Sequence, residues 1–495
     1  MSTTGFRADN HRLSVYELES LSAPRVQEVC YPNVPVPAWC RDRTFFFMHF
    51  LSRILFCALA GGGPALGRAA AAPEPGSAEL PRPLTLDQAL AYAAAHSPGL
   101  RRVRAQLAQQ EGGQLEADAR RSPRVSLTGG YAYTDPNLEE SLPGFPQVPL
   151  PQQDAWIAQL SVRQSVYSGG SVQAGVAGAR EQTQSARLAL TAAMNDTALA
   201  VRRSFYGVLL AREQIRVHDE SLKVLDGELA QARVRQSAGT GSDFDVLRAE
   251  VAVANARPAL VRARNTYHTR QDQLRAVLGA ESPANEEATD LEVAGELAVP
   301  RLEAHVTDAL RTARTSRPEL LAQEHAMAAA ATEVTAAKAG SRPQVNLVAG
   351  YESRKASYSS SFASTLNGWT AGLQADWTLF DGQATAGKVR RATARVSQAA
   401  AIKDELRQRI DLEVRAAHTA VGEASELMGS AEQVIGQAAE SLRLAQARFA
   451  AGTANQLDVL AAQTALTEAR SNLAQAQYDY AVAVAGLRHA MGTAD

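Results

Sequence analysis

Hydrophobic positions along this chain follow two periods. Val459, Leu466, Leu473, Tyr480 and Leu487 recur every seventh residue, with Ala462, Ala469, Ala476, Ala483 and Ala490 three positions after each. The same large-and-small alternation runs through Val246, Val253, Leu260, Tyr267 and Leu274, with Ala249, Ala256 and Ala263. Sustained heptads predict helices that supercoil against neighbours, and the small positions allow close approach. Elsewhere the period is two. Val125, Leu127, Gly129, Tyr131 and Tyr133 alternate with Ser126, Thr128, Gly130 and Ala132. Over Trp369–Phe380, Trp369, Ala371, Leu373, Ala375, Trp377 and Leu379 alternate with Thr370, Gly372, Gln374, Asp376 and Thr378. Val345–Tyr351 and Trp156–Val166 alternate less cleanly. Four strands are therefore predicted among long helices.

The pattern is written twice. Gly239–Thr240 followed by Asp245–Val246–Leu247 recurs 213 positions later as Gly452–Thr453 followed by Asp458–Val459–Leu460. The same shift carries Trp156 onto Trp369 and Leu160 onto Leu373. Earlier in each half the shift is 220, aligning Ser97–Pro98 with Arg317–Pro318 and Tyr131 with Tyr351. The difference falls in a Pro-rich stretch, Thr134 to Asp154, and an indel confined to one stretch marks an exposed loop. Residues 84–280 and 303–491 read as the two repeats, joined by a linker at 281–302 and followed by a tail at 492–495. Each repeat predicts a helix (about 86–121 or 303–340), two strands, a very long helix (about 171–236 or 383–449), a Gly-Thr turn and a last helix (about 243–278 or 455–491). A helix of about 66 residues runs roughly 100 Å, which no globular core needs.

Strands of about ten residues with one apolar face, terminal aromatics and a polar opposite face are the pattern of outer-membrane barrels. A half-buried soluble sheet is the alternative, and for the heptads alone a plain periplasmic coiled coil. If the strands lie in lipid, open edges are not tolerated and four strands cannot close. Barrels begin at about eight strands, so protomers must share one, as a dimer or a trimer. Arg163 and Asp376 are equivalent positions on the polar faces, where charges would tune a barrel lumen; pairing with each other is the competing reading. Trp156, Trp369, Tyr131, Tyr133 and Tyr351 are assigned to interfacial anchoring, or are ordinary strand aromatics.

Targeting fits this picture. Phe50–Ala60 is an apolar run too short to span a bilayer as a helix, preceded by Arg41 and Arg43 and followed by small residues through Ala72. Residues 48–72 read as a signal peptide, with Met48 the natural start and residues 1–47 a misassigned extension. Cys30, Cys40 and Cys57 all precede the expected cleavage, and Phe56 spoils a lipobox at Cys57. The net charge of −2, without a basic run, gives no footprint for nucleic acid. Nine scattered histidines and no HExxH or GxSxG element leave an enzyme reading without support. Gly382–Val389 nearly spells a phosphate loop, but Val389 lacks the hydroxyl that would ligate magnesium. It reads as a chain reversal at a barrel rim, and no cofactor or metal is expected.

The order and repetition of these motifs resemble the TolC-like outer-membrane efflux protein family over about residues 84–491. The features that carry the resemblance are Leu84–Thr85–Leu86–Asp87–Gln88–Ala89–Leu90 with Ser97–Pro98, Pro123 and Pro343 before strands, and Tyr167–Ser168–Gly169–Gly170 and Phe380–Asp381–Gly382 after them. Arg448–Phe449–Ala450–Ala451–Gly452–Thr453 with Asp458–Val459–Leu460 completes the set. The resemblance implies a homotrimer whose 12-stranded barrel, four strands per protomer, continues into a periplasmic α-helical barrel. It implies outer-membrane lipids around the strands, docking to a periplasmic adaptor, and an inner-membrane RND or ABC transporter. The duct would serve efflux of small toxic compounds or type I protein secretion. It also places Gly239, Thr240, Gly452, Thr453, Asp245 and Asp458 at the periplasmic entrance, where relatives carry cation-binding aspartates. Ala461 and Ala454 stand where some members have a second acid and a basic residue. The alternative for Asp245 and Asp458 is that they are acids near helix N-termini.

Overall fold

The computed structural model of the protein describes residues 80–135, 154–280, 291–356 and 361–493. The expected extension, signal segment and 281–290 of the linker lie outside the described residues, as does most of the Pro-rich loop. In chain order the elements of the first repeat are α1 (Leu86–His96), α2 (Pro98–Ala119), β1 (Arg124–Tyr133), β2 (Asp154–Tyr167), α3 (Ser171–Ser237) and α4 (Asp243–Leu278). The second repeat supplies α5 (Val306–Ser316), α6 (Pro318–Lys338), β3 (Gln344–Lys355), β4 (Thr365–Asp376), α7 (Ala384–Ala450) and α8 (Gln456–Met491). The long helices α3 and α7 have 67 residues each, roughly 100 Å at 1.5 Å per residue.

Two expectations need correction. The opening helix of each repeat is two helices, divided at Ser97–Pro98 and Arg317–Pro318. Proline has no N–H to continue a helix but suits the first position of a new one. The last strand spans Thr365–Asp376, and not Trp369–Phe380. Its partner β3 begins at Gln344, opposite Asp376, so the ladder ends there. Trp377 leaves the sheet and donates from Nε1 to the Ser341 carbonyl at 3.2 Å.

The division at proline has an architectural purpose. Gly279 ends α4 at φ 77°, and a Cβ there would lie 2.6 Å from the His96 carbonyl oxygen and 2.7 Å from Pro98 Cδ. The C-terminus of α4 therefore abuts the N-terminus of α2. Gly492, at φ 74°, brings α8 against Ser316 and Arg317 in the same way. Only glycine meets both the left-handed backbone and the missing space. Each long helix is thus flanked by two shorter ones end to end, and α3 packs on α4 and α2 as α7 packs on α8 and α6.

The heptad positions lie inside. Val459, Leu466, Tyr480 and Leu487 are buried, with Ala462, Ala469, Ala476 and Ala490, as are Val253, Leu260 and Leu274. Midway along the helices, segment 291–302 wraps across them. Leu84 and Val293 pair as a short parallel bridge, Arg212 donates to the carbonyls of Val293 (2.7 Å) and Gly295 (2.6 Å), and the Tyr480 hydroxyl accepts from Leu302 N at 2.7 Å. The strands form one antiparallel sheet ordered β1-β2-β3-β4. Because α3 and α7 leave the sheet and end at the Gly-Thr turns, sheet and turns occupy opposite ends of these two helices.

Candidate functional site: sheet wall and helical tip

The sheet register sorts every strand residue onto one of two faces. On the apolar face Val125, Val162, Ala349 and Ala371 form one row across all four strands, and Leu127, Leu160, Tyr351 and Trp369 form the next. Leu347 and Leu373 extend it on one side, Tyr131 and Trp156 on the other. Of these, Trp369 is 78% exposed, Leu127 74% and Leu373 69%. A face this apolar and this bare in the protomer must meet lipid or protein. The opposite face carries Arg124, Ser126 and Thr128 on β1, with Gln159, Ser161 and Arg163 beside them on β2. Asn346, Glu352 and Arg354 follow on β3, then Thr370, Gln374 and Asp376 on β4. Glycines 130, 350, 368 and 372 keep that face low.

The sequence-selected aromatics all lie on the apolar face. They do not share a row: Tyr131 and Trp156 are paired two rows beyond Tyr351 and Trp369, and Tyr133 lies opposite Asp154. Arg163 and Asp376 share the polar face but are not brought together. They sit on strands separated by β3, and Arg163 stands opposite Val348 whereas Asp376 stands opposite Gln344. Four positions along the strand, roughly 13 Å, divide their rows.

At the other end each long helix stops in the same motif. Gly239 (φ 74°) and Gly452 (φ 75°) take the left-handed conformation. The amide and hydroxyl of Thr240 donate to the Arg235 carbonyl at 2.9 and 3.2 Å, and those of Thr453 to the Arg448 carbonyl at 2.9 and 3.1 Å. Threonine thus ties off carbonyls that the helix end would leave open. The next helix opens with a capping box. Asp245 Oδ2 accepts from Ser242 N at 3.3 Å while Asp245 N donates to Ser242 Oγ at 3.2 Å. Asp458 Oδ2 accepts from Asn455 N at 3.1 Å while Asp458 N donates to Asn455 Oδ1 at 3.0 Å. Both aspartates therefore have a local structural role, and Asp458 is exposed as well.

Several working contacts were not read from sequence, because each needs the tertiary register. The seam between α3 and α8 carries polar contacts: Arg470 pairs with Glu220 at 2.9 Å and Thr467 donates to Ser221 at 3.0 Å. Nearer the tip, Gln456 is 3% exposed, and Arg235 lies 4.4 Å over the Phe449 ring. At the far end of the sheet Lys355, with a side chain 2% exposed, pairs with Asp154 at 3.0 Å, beside the Trp156 and Phe362 rings. Arg124 stands directly opposite Arg163. Heptad phase hints at the first; the others carry no local signal.

The family model described as outer membrane efflux protein matches residues 89–280 and 309–493. The chain belongs to this family. The two matched segments coincide with the two repeats. Protein CyaE of Bordetella pertussis is 28% identical over 326 residues, 66% of each chain. The alkaline protease secretion protein AprF of Pseudomonas aeruginosa is 27% identical over 354 residues, 69% of this chain and 70% of that one. The chain thus spans about two thirds of the length of these relatives. The solved structure of CusC, described in terms of transmembrane channel formation, superposes with a TM-score of 0.69 at 17% identity, covering 82% of this chain and 92% of that one. Membership of the family makes this protein an outer-membrane export channel, and the family and its neighbours are channel proteins.

Proposed function

We propose that the chain is one protomer of a homotrimeric exit duct that passively carries cargo through the periplasm and outer membrane. The observation that carries this reading is the two-faced sheet with free edges. Among the described residues β1 and β4 each have no partner on one side, and a lipid-exposed edge leaves backbone groups unsatisfied at several kcal/mol each. Joining β4 of one copy to β1 of the next removes every edge, and three copies give twelve strands. The bare apolar face then meets lipid and the polar face encloses water. Strand tilt of about 40° shifts a membrane level by roughly 4 Å per strand, which takes up part of the offset between the two aromatic rows.

Cargo and energy come from elsewhere: a periplasmic adaptor docked on the helical tip, and an inner-membrane transporter of the RND or ABC class. The protease-secretion name of AprF supports protein export through an ABC-driven system as the second reading beside efflux of small compounds. Both use the same duct. Purified protein added to a planar bilayer is expected to open ohmic, water-filled channels. Full-length protein that stays in the soluble periplasmic fraction and never conducts would overturn the reading.

A further inference from the structure

The polar face of the sheet holds one arrangement that a passive duct does not require. Arg124 and Arg163 are directly opposed on β1 and β2, which puts their Cα atoms about 4.5–5.5 Å apart. Like charges so placed oppose strand pairing. Both side chains are exposed, and neither has an ion-pair partner among the described residues. Their row continues through Val348 and Gly372. The flanking rows are Ser126–Ser161–Gly350–Thr370 and Ser165–Asn346–Gln374. These three rows contain no carboxylate. The nearest acids on this face, Glu352 and Asp376, lie four positions along the strand, roughly 13 Å away. Glu352 is moreover engaged by Arg354 at 3.4 Å.

Hydroxyls complete the arrangement. Ser126 Oγ and Ser161 Oγ are hydrogen-bonded at 2.8 Å in the row beside the arginines. One hydroxyl donates to the other, so the pair keeps one further donor. Two guanidinium forks and a serine pair on one face of the sheet match an oxyanion.

We infer that Arg124 and Arg163, with Ser126 and Ser161, form an anion-binding subsite in the barrel wall for solutes bearing phosphate or carboxylate groups. The inference rests on the polar face lining the lumen. Three copies of the subsite would ring the bore near the end of the sheet from which the helices leave, raising the local concentration of anions as they cross.

The test uses a thiol reporter in the same row. The chain's only cysteines, Cys30, Cys40 and Cys57, precede the described residues, and a Cβ at Gly372 meets nothing within 4 Å. Gly372→Cys protein, its three early cysteines replaced by serine, is reconstituted in liposomes and treated with anionic and cationic thiosulfonates of equal size. The anionic reagent is expected to react preferentially, and adding Arg124→Gln and Arg163→Gln should lower the anion-to-cation rate ratio about threefold or more. Inorganic pyrophosphate should slow the anionic reagent saturably with the arginines present and not without them. The pair Arg124→Lys and Arg163→Lys keeps the ratio but weakens protection, because a lysine cannot make the bidentate fork. An unchanged ratio in the glutamine variant overturns the subsite. So does a lowered ratio with no pyrophosphate protection, which would mean charge without a binding site. A rise in anionic preference with Asp376→Asn, while the arginine changes do nothing, would show that a neighbouring copy's Asp376 neutralises the arginines. Failure of both reagents to reach Gly372→Cys would instead remove the lumen reading itself.

Discussion

Arg317 shows how one residue does different work in the two repeats. Its equivalent in the first repeat is Ser97, a small buried residue. Arg317 donates to Glu319 (3.0 Å), to Glu413 (3.0 Å) and to the His489 (3.4 Å) and Ala490 (3.3 Å) carbonyls. It thereby closes the C-terminal end of α8 where α6 begins. Arg317→Ala should cost about 1–3 kcal/mol, since two carboxylates and two carbonyls lose a buried donor but the partly exposed acids can rehydrate. A lowered thermal midpoint of the helical signal, with partial recovery in Arg317→Lys, is the expected result. A second contact makes a pH prediction. Arg314 binds Asp411 through Nε (2.9 Å) and Nη2 (2.6 Å), and this hydrogen bond holds the Asp411 carboxyl below its ordinary value of 3.8. A depressed folded-state pKa contributes stability that is present above the unfolded value and lost as pH falls through the folded one. The stability difference between wild type and Asp411→Asn should hold from neutral pH to about 4 and vanish only below 3.8. A difference that instead disappears between pH 6 and 5 would contradict this.

At the scale of elements the tip hairpins deserve the next experiment, because the same aspartate serves a cap and, in our reading of the entrance, a cation ring. Three copies of Asp458 about the axis would select cations by charge. Asp458→Asn keeps an acceptor for Asn455 N but removes the charge, so it should reduce cation selectivity and divalent block without lowering stability. Asp458→Ala should do both, costing about 1 kcal/mol as other broken caps do. If Asp458→Asn leaves single-channel selectivity unchanged, the aspartate is a cap alone. Ser242→Ala, in the first repeat, should speed hydrogen exchange at Asp243–Val246 and leave the sheet untouched.

Much of this element-level plan is legible in the sequence. The heptads of α4 and α8 gave the packing faces, the 213-residue shift gave the repeat, and Gly-Thr gave both turns. What is not legible depends on contacts far apart in the chain. Proline at 98 and 318, inside the single helices expected, is a local signal for a break, but the end-to-end abutment of α4 and α8 at those breaks is seen only through Gly279 and Gly492. The end of β4 depends on where β3 starts, and alternation running on to Phe380 conceals it. The pairing of Arg124 with Arg163 follows from the β1–β2 register, which no local pattern reports.

For the whole molecule the governing fact is that one chain has a complete helical hairpin system but only a fragment of a barrel wall. Among the described residues its sheet has two free edges and a bare apolar face, so on the proposed reading the barrel exists only in the assembly. Detergent-extracted protein should therefore have the mass of three chains, and a monomer that still conducts would be incompatible with four strands per copy. Substitution of lysine at Leu373, on the apolar face, should impair insertion, by about 2–4 kcal/mol if the site lies near the bilayer centre. Lysine at Thr370, on the polar face, should insert normally and alter conductance. The most direct test is an accessibility scan along β4. Single cysteines are placed in turn at positions 368 to 374 of protein reconstituted in liposomes and probed with a charged, membrane-impermeant thiol reagent. The account predicts reaction at Gly368, Thr370, Gly372 and Gln374, with protection at Trp369, Ala371 and Leu373. Equal reaction at all seven positions, or the opposite alternation, would contradict it.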